Sequence, residues 1–537
     1  MEKVIIVGSG ASGVHFAQSL LQKNKYQVIM LDVGYEKPEI LNPYHSFADL
    51  KYNLDDPVKY FLGKNFEAVI YPDTKSEYYG FPPSKNFVFR TPLQFSCKSE
   101  GFSPLFSFAK GGLAEVWTGG VYPLNDSELS DFPFSYQDIL PCYNESARRI
   151  GVSGKNDDLS NFLPFHDNIM EPLTLDEHSA LILSKYKEIK SYLNNKLKCY
   201  LGRSRIAVLS KDHDQRKACA YNGRCLWGCP SGALYTPSMT LDACSKHPNF
   251  KYIPNMYVTH FMINRKRRIT HILAKYLKNG QQQSFPLDKL VLAAGTLASS
   301  KIFLESIFEN TGEIIRLNGL MDNRQVLVPF VNLKMLGKPY HPESYQYHQI
   351  AMGFESETPK EYVHGQLTTL KSALIHPIIQ NIPFDLKSSI FVFRNLHSAL
   401  GVINLNFFDF RREDNYVTLI RNKRSSGSRL FINYTPSSFE PVILRKTIKT
   451  LKKAILKLGC IVPPGMTHIR PMGASVHYSG TLPMTRRQKP YTTSENCQSH
   501  DFENLFIVDG TTFPFLPAKN LTFSLMANSI RVANNEF

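Results

Sequence analysis

Long apolar runs are missing from this sequence. No stretch of about 18 consecutive apolar residues occurs, so no membrane-spanning helix is predicted. A glycine motif begins at residue 8, which leaves no room for the basic and apolar segments of a secretory signal peptide. We therefore expect a cytoplasmic protein, with association at a membrane surface as the alternative.

Acidic residues are few relative to basic ones. Lys and Arg number 62 against 46 Asp and Glu, for a formal charge of +16. The densest clusters, Arg265 to Arg268 and Arg421 to Arg429, lie between strand-like runs and are predicted hairpin tips. Solvated loops explain such clusters, and attraction to an anionic substrate, partner or membrane surface is the alternative. No nucleic-acid-binding signature accompanies the charge, so no nucleic-acid partner is expected.

Internal repeats and disorder-type composition are also absent. The chain is 43% hydrophobic and 12% aromatic, and its 537 residues exceed what one core usually supports, so two domains are expected. Nine cysteines are scattered along it. An odd number of cysteines without a secretion signal argues against a disulfide framework.

The N-terminus carries a dinucleotide-binding pattern. The apolar run Lys3 to Val7 is followed by Gly8, Gly10 and Gly13 and by a helix-like stretch from Ala11 to Leu21. Glycines at this spacing allow a tight turn and a close approach of the backbone to a pyrophosphate. The helix then offers free N–H groups and the positive end of its dipole to the phosphates.

A second strand-like run, Gln27 to Leu31, ends in Asp32, nineteen residues after Gly13. A carboxylate at this position accepts hydrogen bonds from ribose hydroxyls and argues against a 2′-phosphate. The pattern does not distinguish NAD from FAD.

Two later segments read as further strands of the same sheet. Leu290 to Ala294 ends at Gly295 before a helix-like run, and Phe506 to Val508 ends at Asp509. Ligands in such sheets bind at the carboxyl ends of the strands. The glycine-rich loop Phe108 to Gly120 suits a segment lying flat against a planar ligand.

The remaining segments favour a second domain. A helical run from Ser179 to Leu197 and alternating strand-like runs between Gln346 and Ile432 predict helices and an antiparallel sheet that cover the cofactor. The fold class expected is therefore α/β, a Rossmann-like nucleotide domain plus a substrate domain built on an antiparallel sheet with helices.

These motifs together resemble the glucose-methanol-choline (GMC) family of FAD-dependent oxidoreductases, from residue 3 to about residue 533. The matching features are the N-terminal glycines with Asp32, the Gly111-Gly112 loop with Phe134 to Tyr143, the Ala294-Gly295 strand end, His477-x-x-Gly480-Thr481, and the run from Asp509 to Asn520.

Three positions depart from the family pattern. Leu482-Pro-Met484-Thr485 replaces Cys-x-Met-Gly, Leu521 follows the asparagine where the family has proline, and Asp32 stands for the usual Glu. None removes a group that performs chemistry.

The resemblance implies FAD as cofactor and a discontinuous FAD-binding domain, residues 1–150, 200–325 and 465–537, with substrate-domain residues 151–199 and 326–464. It implies oxidation of a CH–OH group of a sugar or other alcohol, with His477 as the base and Asn520 as its partner on the hydroxyl. The cofactor-binding residues it implies are Gly8, Gly10, Ser12, Gly13, Asp32, Gly112, Trp117, Thr118, Gly119, Val258, Ala294, Gly295, Asp509, Gly510 and Thr522.

Three cysteines lie close together in the sequence, Cys219, Cys225 and Cys229. Such density in a reducing compartment is typical of thiols that bind something. The segment resembles the cysteine loop of bacterial sugar dehydrogenases of this family that carry a three-iron four-sulfur cluster. That reading implies a quinone, cytochrome or other electron-acceptor partner, and buried or free thiols beside the flavin site are the alternative.

Two other functions remain open. The same architecture can host a lyase or a photochemical decarboxylase, and a non-catalytic flavin-binding protein is a third hypothesis. The intact pair of His477 and Asn520 fits an enzyme better than a binding protein.

Overall fold

Helices line both sides of the sheets in this computed structural model, which describes residues 1–38, 46–66, 68, 82–164, 167–370, 379, 382–421 and 427–537. The α-helices are α1 (Ala11–Gln22), α2 (Phe47–Asn53), α3 (Pro57–Leu62), α4 (Tyr136–Ile150), α5 (Glu177–Leu197), α6 (Pro237–Cys244), α7 (Thr296–Thr311), α8 (Leu386–Leu396), α9 (Glu440–Lys457) and α10 (Thr522–Glu536). Among these, none is long and apolar enough to cross a membrane.

The strands are numbered in chain order. The first part contains β1 (Glu2–Val7), β2 (Tyr26–Leu31), β3 (Cys97–Glu100), β4 (Val152–Ser153), β5 (Ile169–Met170), β6 (Cys199–Arg203), β7 (Phe250–Ile253), β8 (Met256–Ile263), β9 (Ile269–Tyr276), β10 (Gln282–Pro286) and β11 (Lys289–Leu292). The second contains β12 (Arg316–Asn318), β13 (Met321–Asp322), β14 (Gln325–Asn332), β15 (Ile350–Phe354), β16 (Val363–Thr369), β17 (Leu400–Asn406), β18 (Asp409–Phe410), β19 (Tyr416–Arg421), β20 (Ser428–Asn433), β21 (Cys460–Ile461), β22 (His468–Ile469), β23 (Tyr478–Ser479), β24 (Leu505–Ile507) and β25 (Phe515–Leu516).

A five-stranded parallel sheet in the order β24-β11-β1-β2-β7 forms the nucleotide-binding part. Its central strand β1 is an apolar run because both faces are covered, and Val4, Ile5 and Ile6 are fully buried. Val7 is paired with Leu31 on one side and Leu292 on the other. The four strands predicted from the sequence, β1, β2, β11 and β24, are therefore neighbours in one parallel sheet, which confirms this part of the fold.

A seven-stranded antiparallel sheet forms the second part, with the path β21-β14-β17-β16-β15-β6 and β22 added beside β14. Side chains alternate between its two faces, as a strand period of two requires. One face carries an apolar core that includes Val328, Leu367 and Ile403, and α5 and α9 pack on it through Ile182 and Leu451. The opposite face carries polar side chains, which are described with the site below.

The basic hairpin β19-β20 joins a separate four-stranded sheet, in the order β12-β19-β20-β3. Its inward residues Val417 and Ile432 share one apolar cluster with Ile5 and Leu292 of the parallel sheet. The hairpin thus packs with the nucleotide-binding part, although the sequence grouped residues 326–464 with the substrate domain. The domain boundaries remain a prediction, and residues 422–426 of the basic cluster lie outside the described residues.

The two ends of the chain meet on the parallel sheet. Helix α10 packs along α1 and α4. The ring of Phe537, just after α10, lies 5.1 Å from that of Phe16 in α1. At the other end of α10, Thr522 lines the same cavity as Gly8 and Gly10, so the motifs of both chain ends meet at one site.

Candidate active site

A cavity opens at the carboxyl ends of the parallel strands. It encloses about 1430 Å³ of space, part of it open to solvent. Eleven of the predicted cofactor-binding residues line it, together with His477: Gly8, Gly10, Ser12, Asp32, Gly112, Val258, Ala294, Gly295, Asp509, Gly510 and Thr522.

The three N-terminal glycines have different structural roles. A Cβ atom at Gly8 would lie 2.6 Å from the Ala293 carbonyl oxygen, and one at Gly13 only 2.1 Å from the Gly8 carbonyl oxygen. At Gly10, by contrast, the nearest atom would be the Gly111 carbonyl oxygen at 4.0 Å. Neighbouring protein atoms therefore leave no room for a side chain at Gly8 or Gly13. Gly10, by contrast, faces unfilled space at the N-terminus of α1, where a pyrophosphate fits.

Asp32 is the acid at the end of β2. Its carboxylate accepts hydrogen bonds from the Ser9 hydroxyl and, at 3.2 Å, from the Tyr252 hydroxyl. Burial raises the pKa of Asp32 to about 6, although these hydrogen bonds oppose the shift. Ser9 Oγ also accepts from the Gly111 N–H at 3.0 Å, so Asp32 is connected to the glycine-rich loop across the cavity.

Asp509, two residues after β24, hydrogen-bonds to the first turn of α7. It accepts from the Gly295 N–H at 2.9 Å and from Ser299 Oγ at 2.5 Å, and also from Thr511. Burial raises its pKa against these hydrogen bonds. The side chain therefore holds the N-terminus of α7 at the edge of the cavity.

Trp117, Thr118 and Gly119 are not among the residues that line this cavity. The indole of Trp117 donates to the Tyr235 carbonyl at 2.7 Å. The Thr118 carbonyl accepts from the Tyr345 hydroxyl at 2.9 Å. Their role as flavin contacts stays a prediction.

His477 lines the cavity, and a hydrogen bond to Asn323 orients its ring. His477 Nδ1 is 3.1 Å from Asn323 Oδ1. The Asn323 amide donates through Nδ2 to the carbonyls of Phe407 and Pro517, at 2.7 and 3.0 Å. Its oxygen must therefore face the histidine as an acceptor, which assigns the proton to Nδ1 and leaves Nε2 unprotonated.

The free nitrogen of His477 faces Asn520. Asn520 Nδ2 lies 3.4 Å from Nε2, and Asn520 Oδ1 accepts from Gln366 Nε2 at 2.5 Å. Gln366 therefore fixes the orientation of the amide, so that its donor points toward the histidine. Burial, with a smaller contribution from Arg470, lowers the pKa of His477 to about 4, and the ring is neutral near pH 7.

The loop that carries Asn520 is anchored by a buried ion pair. Lys519 Nζ lies 2.5 Å from Glu128 Oε2, and both side chains are fully buried. The same ammonium donates to the carbonyls of Pro123 and Phe162, at 2.9 and 2.7 Å. Burial lowers the pKa of Lys519 and raises that of Glu128, while their mutual attraction opposes both shifts.

Gln366 belongs to a polar face of the seven-stranded sheet. In the strand register it pairs with Asn404, and His364 pairs with Asn406. Asn404 Oδ1, Asn406 Nδ2 and His364 Nε2 are buried and lack a hydrogen-bond partner among the described residues. Such buried groups are expected to bond to a ligand or to water.

The sequence did not predict Asn323 or Gln366. Each lies 154 positions from the residue it holds, and neither belongs to a recognisable motif. Asn323 lies between β13 and β14 and Gln366 in the middle of β16, so their approach to His477 and to Asn520 becomes visible only in the folded chain.

The three cysteines come together in one small cluster beside the glycine-rich loop. Cys225 is buried with Leu234 and Tyr345, and Cys219 and Cys229 pack against that cluster. Burial raises the pKa of Cys219 to about 11. Within the described part of the chain, however, no three side chains of the metal-ligating types are grouped so as to hold a metal ion.

The fold and the cavity are those of a dinucleotide-binding domain beside an antiparallel sheet with one polar face. Comparisons with known proteins narrow this class. Two family models described as GMC oxidoreductase match residues 205–320 and 464–529. These matches support the GMC oxidoreductase family, a family of flavoproteins, and with it FAD as the cofactor.

One curated relative is the fructose dehydrogenase large subunit of Gluconobacter japonicus, 24% identical over 324 residues. The match covers 56% of this chain and about half, 53%, of the relative. Pyridoxine 4-oxidase from Mesorbium loti superposes with a TM-score of 0.62 at 13% identity, covering 100% of this chain and 99% of that one. A variant formate oxidase of Aspergillus oryzae RIB40, studied for its FAD modification, gives 0.62 at 11%, covering 99% and 98%. These structures share the fold.

Proposed function

We propose that this protein is an FAD-dependent dehydrogenase or oxidase that oxidises a CH–OH group of a sugar or another alcohol, with His477 as the general base. The observation that carries the proposal is the orientation of His477, with its proton on Nδ1 toward Asn323 and Nε2 toward Asn520. A neutral, unprotonated nitrogen held in a cavity is what the removal of a hydroxyl proton requires.

The cavity fits FAD on its own features. Gly10 faces open space at a helix N-terminus, and Asp32 ends the strand beside it. When bound, the flavin supplies the acceptor for the hydride that leaves the alcohol carbon.

The chain itself positions and deprotonates the alcohol. A hydroxyl placed between His477 and Asn520 gives its proton to Nε2, while Asn520 Nδ2 donates to the hydroxyl oxygen. This pair of contacts fixes the oxygen and thereby the carbon that carries it. Gln366 keeps the Asn520 amide in that orientation through its hydrogen bond to Oδ1.

The polar face of the sheet favours a substrate that carries several hydroxyl groups. Amide groups of Gln366, Asn404 and Asn406 offer donors and acceptors together, and two of them contribute buried atoms without partners among the described residues. Arg470 lies at the edge of this face, bonded to Gln325 Oε1 at 2.5 Å. Hydroxyl groups of a sugar satisfy such a set, whereas a plain hydrocarbon leaves it unpaired.

The experiment is an anaerobic screen of sugars and alcohols that follows bleaching of the flavin absorption band. His477→Ala should retain the flavin and slow its reduction by about 10²-fold or more, the usual contribution of a general base. His341→Ala, an exposed histidine, is the matched control and should reduce at the wild-type rate. Reduction at an unchanged rate in His477→Ala would assign the base to another residue.

The alternative functions give different results in the same assay. A lyase or a photochemical decarboxylase of this fold converts its substrate without net reduction of the flavin. A non-catalytic flavin-binding protein shows no bleaching with any compound. Flavin bleaching that depends on His477 would exclude both.

The iron–sulfur cluster is a narrower proposal with its own test. Among the described residues, the three thiols share one apolar cluster but are not grouped so as to hold a metal ion, so they do not fit an iron–sulfur cluster in this arrangement. Iron and sulfide assays and electron paramagnetic resonance on protein purified without air decide the matter. Three irons per chain would establish the cluster, and fewer than about two would leave the thiols structural. Comparison of oxygen with quinones and dyes as oxidants would identify the electron acceptor.

A further inference from the structure

One end of the seven-stranded sheet carries a row of exposed apolar side chains. They come from three separate segments: α8, the turn after β14, and the last turn of α9. We call them the apolar ridge, and its members are Phe391, Leu336, Leu333 and Leu456, with exposed fractions of 69%, 44%, 47% and 63%.

Backbone hydrogen bonds hold these three segments side by side. The Gly337 N–H donates to the Asn395 carbonyl at 2.9 Å, which joins the turn to α8. The Leu333 N–H donates to the Gly459 carbonyl at 3.2 Å, which joins the turn to the end of α9. The three segments that carry the ridge are therefore fixed beside one another in the folded chain.

Basic residues flank the ridge on both helices. In α8, Lys387 and Arg394 stand four residues before and three after Phe391, so all three share one exposed helix face. In α9, Lys452, Lys453 and Lys457 surround Leu456.

Helix α9 is strongly cationic from Arg445 to its end at Lys457. It carries six basic residues, Arg445, Lys446, Lys449, Lys452, Lys453 and Lys457, and one acid, Glu440. Glu440 is paired with Arg324 at 2.7 Å and does not offset the outer face. Lys446 lies 3.3 Å from the exposed Glu357, a contact that water screens strongly.

We propose that the ridge docks on the surface of an anionic lipid bilayer. Large apolar side chains inserted at the boundary of headgroups and acyl chains, with lysines and arginines at their sides, are the recognised pattern of interfacial helices. The basic residues complement acidic headgroups. A second copy of this chain would bring two cationic surfaces together and is disfavoured by charge.

The test is flotation of the purified holoprotein with vesicles. Phosphatidylcholine alone is compared with phosphatidylcholine containing phosphatidylglycerol, at low salt and at 0.5 M salt, where charges are screened over only a few ångströms. We expect binding to the anionic vesicles only, weakened at least tenfold by the higher salt.

Two variants separate the contributions of charge and of apolar insertion. Lys452→Glu/Lys453→Glu and Leu336→Ser/Phe391→Ser should each reduce binding by tenfold or more. The matched control is Arg265→Glu/Lys266→Glu, the same change of charge on the exposed hairpin between β8 and β9, and it should bind as the wild type does. All substituted side chains are exposed, so melting temperatures should stay close to that of the wild type.

Several results would overturn the proposal. Absence of binding to anionic vesicles at low salt would do so, as would an equal loss in the hairpin control. Unchanged binding in the Leu336→Ser/Phe391→Ser variant would mean that the ridge does not insert. A dimer in solution that this variant dissociates would assign the ridge to a second copy of the chain.

Discussion

The side chain of Asn323 decides which nitrogen of His477 can accept a proton. Its Nδ2 is occupied by two backbone carbonyls, so its oxygen is the only group it can offer to the imidazole. Burial lowers the pKa of His477 to about 4. If His477 is the base, as proposed, activity should be retained above that pH and lost below it, where the imidazole is protonated.

We predict that Asn323→Asp moves this acid limit to higher pH. A carboxylate beside Nδ1 stabilises the imidazolium form and raises the pKa of His477, so flavin reduction should begin to fall at a higher pH than in the wild type. The measurement is the anaerobic reduction rate from pH 4 to 8. Lower stability is expected as well, because the new oxygen faces the carbonyls of Phe407 and Pro517. A lower rate with an unchanged pH profile would show that Asn323 only supports the local structure.

Gly10 and Gly13 provide a matched pair of substitutions at the cofactor site. Gly10→Val should fold and lose FAD, because its side chain extends into unfilled space where the pyrophosphate is expected. Gly13→Val should fail to fold, since its Cβ would lie 2.1 Å from a backbone oxygen. Flavin absorption and circular dichroism distinguish the two results. A yellow Gly10→Val protein would contradict the assigned phosphate site.

Among individual residues, those that belong to a local motif can be predicted from the sequence. Residues that hydrogen-bond to a side chain far away in the sequence cannot. The spacing of Gly8, Gly10 and Gly13 is visible because one turn uses all three. Asn323 and Gln366 each act on a side chain far away in the sequence, and an isolated amide carries no spacing signal. Neither the tautomer of His477 nor the orientation of Asn520 is therefore readable from the sequence.

At the scale of elements, the buried ion pair of Lys519 with Glu128 positions the segment before α10. This lysine neutralises Glu128 and caps two further carbonyls within the protein interior. Since Asn520 is the next residue, the ion pair also determines where the amide reaches His477. The pair links the C-terminal segment to the region before α4.

We predict that Lys519→Met destabilises the protein by about 3–5 kcal/mol, because it leaves the Glu128 carboxylate buried without a cation. Urea unfolding followed by fluorescence measures the loss. Lys217→Met is the matched control, since its partner Asp212 lies 2.8 Å away at the surface, and such exposed pairs contribute about 0–1 kcal/mol. Equal effects of the two substitutions would contradict this role for Lys519.

The pairing of elements was only partly predictable. Strands β1, β2, β11 and β24 could be recognised because they are apolar runs that end in glycine or aspartate. The sheet that joins β3 to β20 could not, because its two strands are separated by more than 300 positions and neither carries a motif. The β19-β20 hairpin packs with the nucleotide-binding part through Val417 and Ile432, a contact that no local motif indicates.

At the scale of the whole molecule, the cavity is assembled from segments distributed over almost the entire chain. Gly8, Gly112, Val258, Gly295 and Thr522 all line it. A ligand bound there contacts both ends of the sequence at once. The overall α/β class was predictable because each end carries its own pattern, whereas the docking of α10 against α1 follows only from tertiary packing.

A ligand that binds the folded chain and not the unfolded chain raises stability by RT ln(1 + [L]/Kd), about 2.7 kcal/mol at a hundredfold excess over Kd. Because the cavity joins distant segments, we predict that added FAD raises the melting temperature of the apoprotein in a concentration-dependent manner. Gly10→Val should melt at the apoprotein temperature whether FAD is present or not, and His477→Ala should respond as the wild type does. Calorimetry at several FAD concentrations measures these shifts. A Gly10→Val protein stabilised to the wild-type extent would mean that FAD binds elsewhere than at the carboxyl ends of the parallel strands.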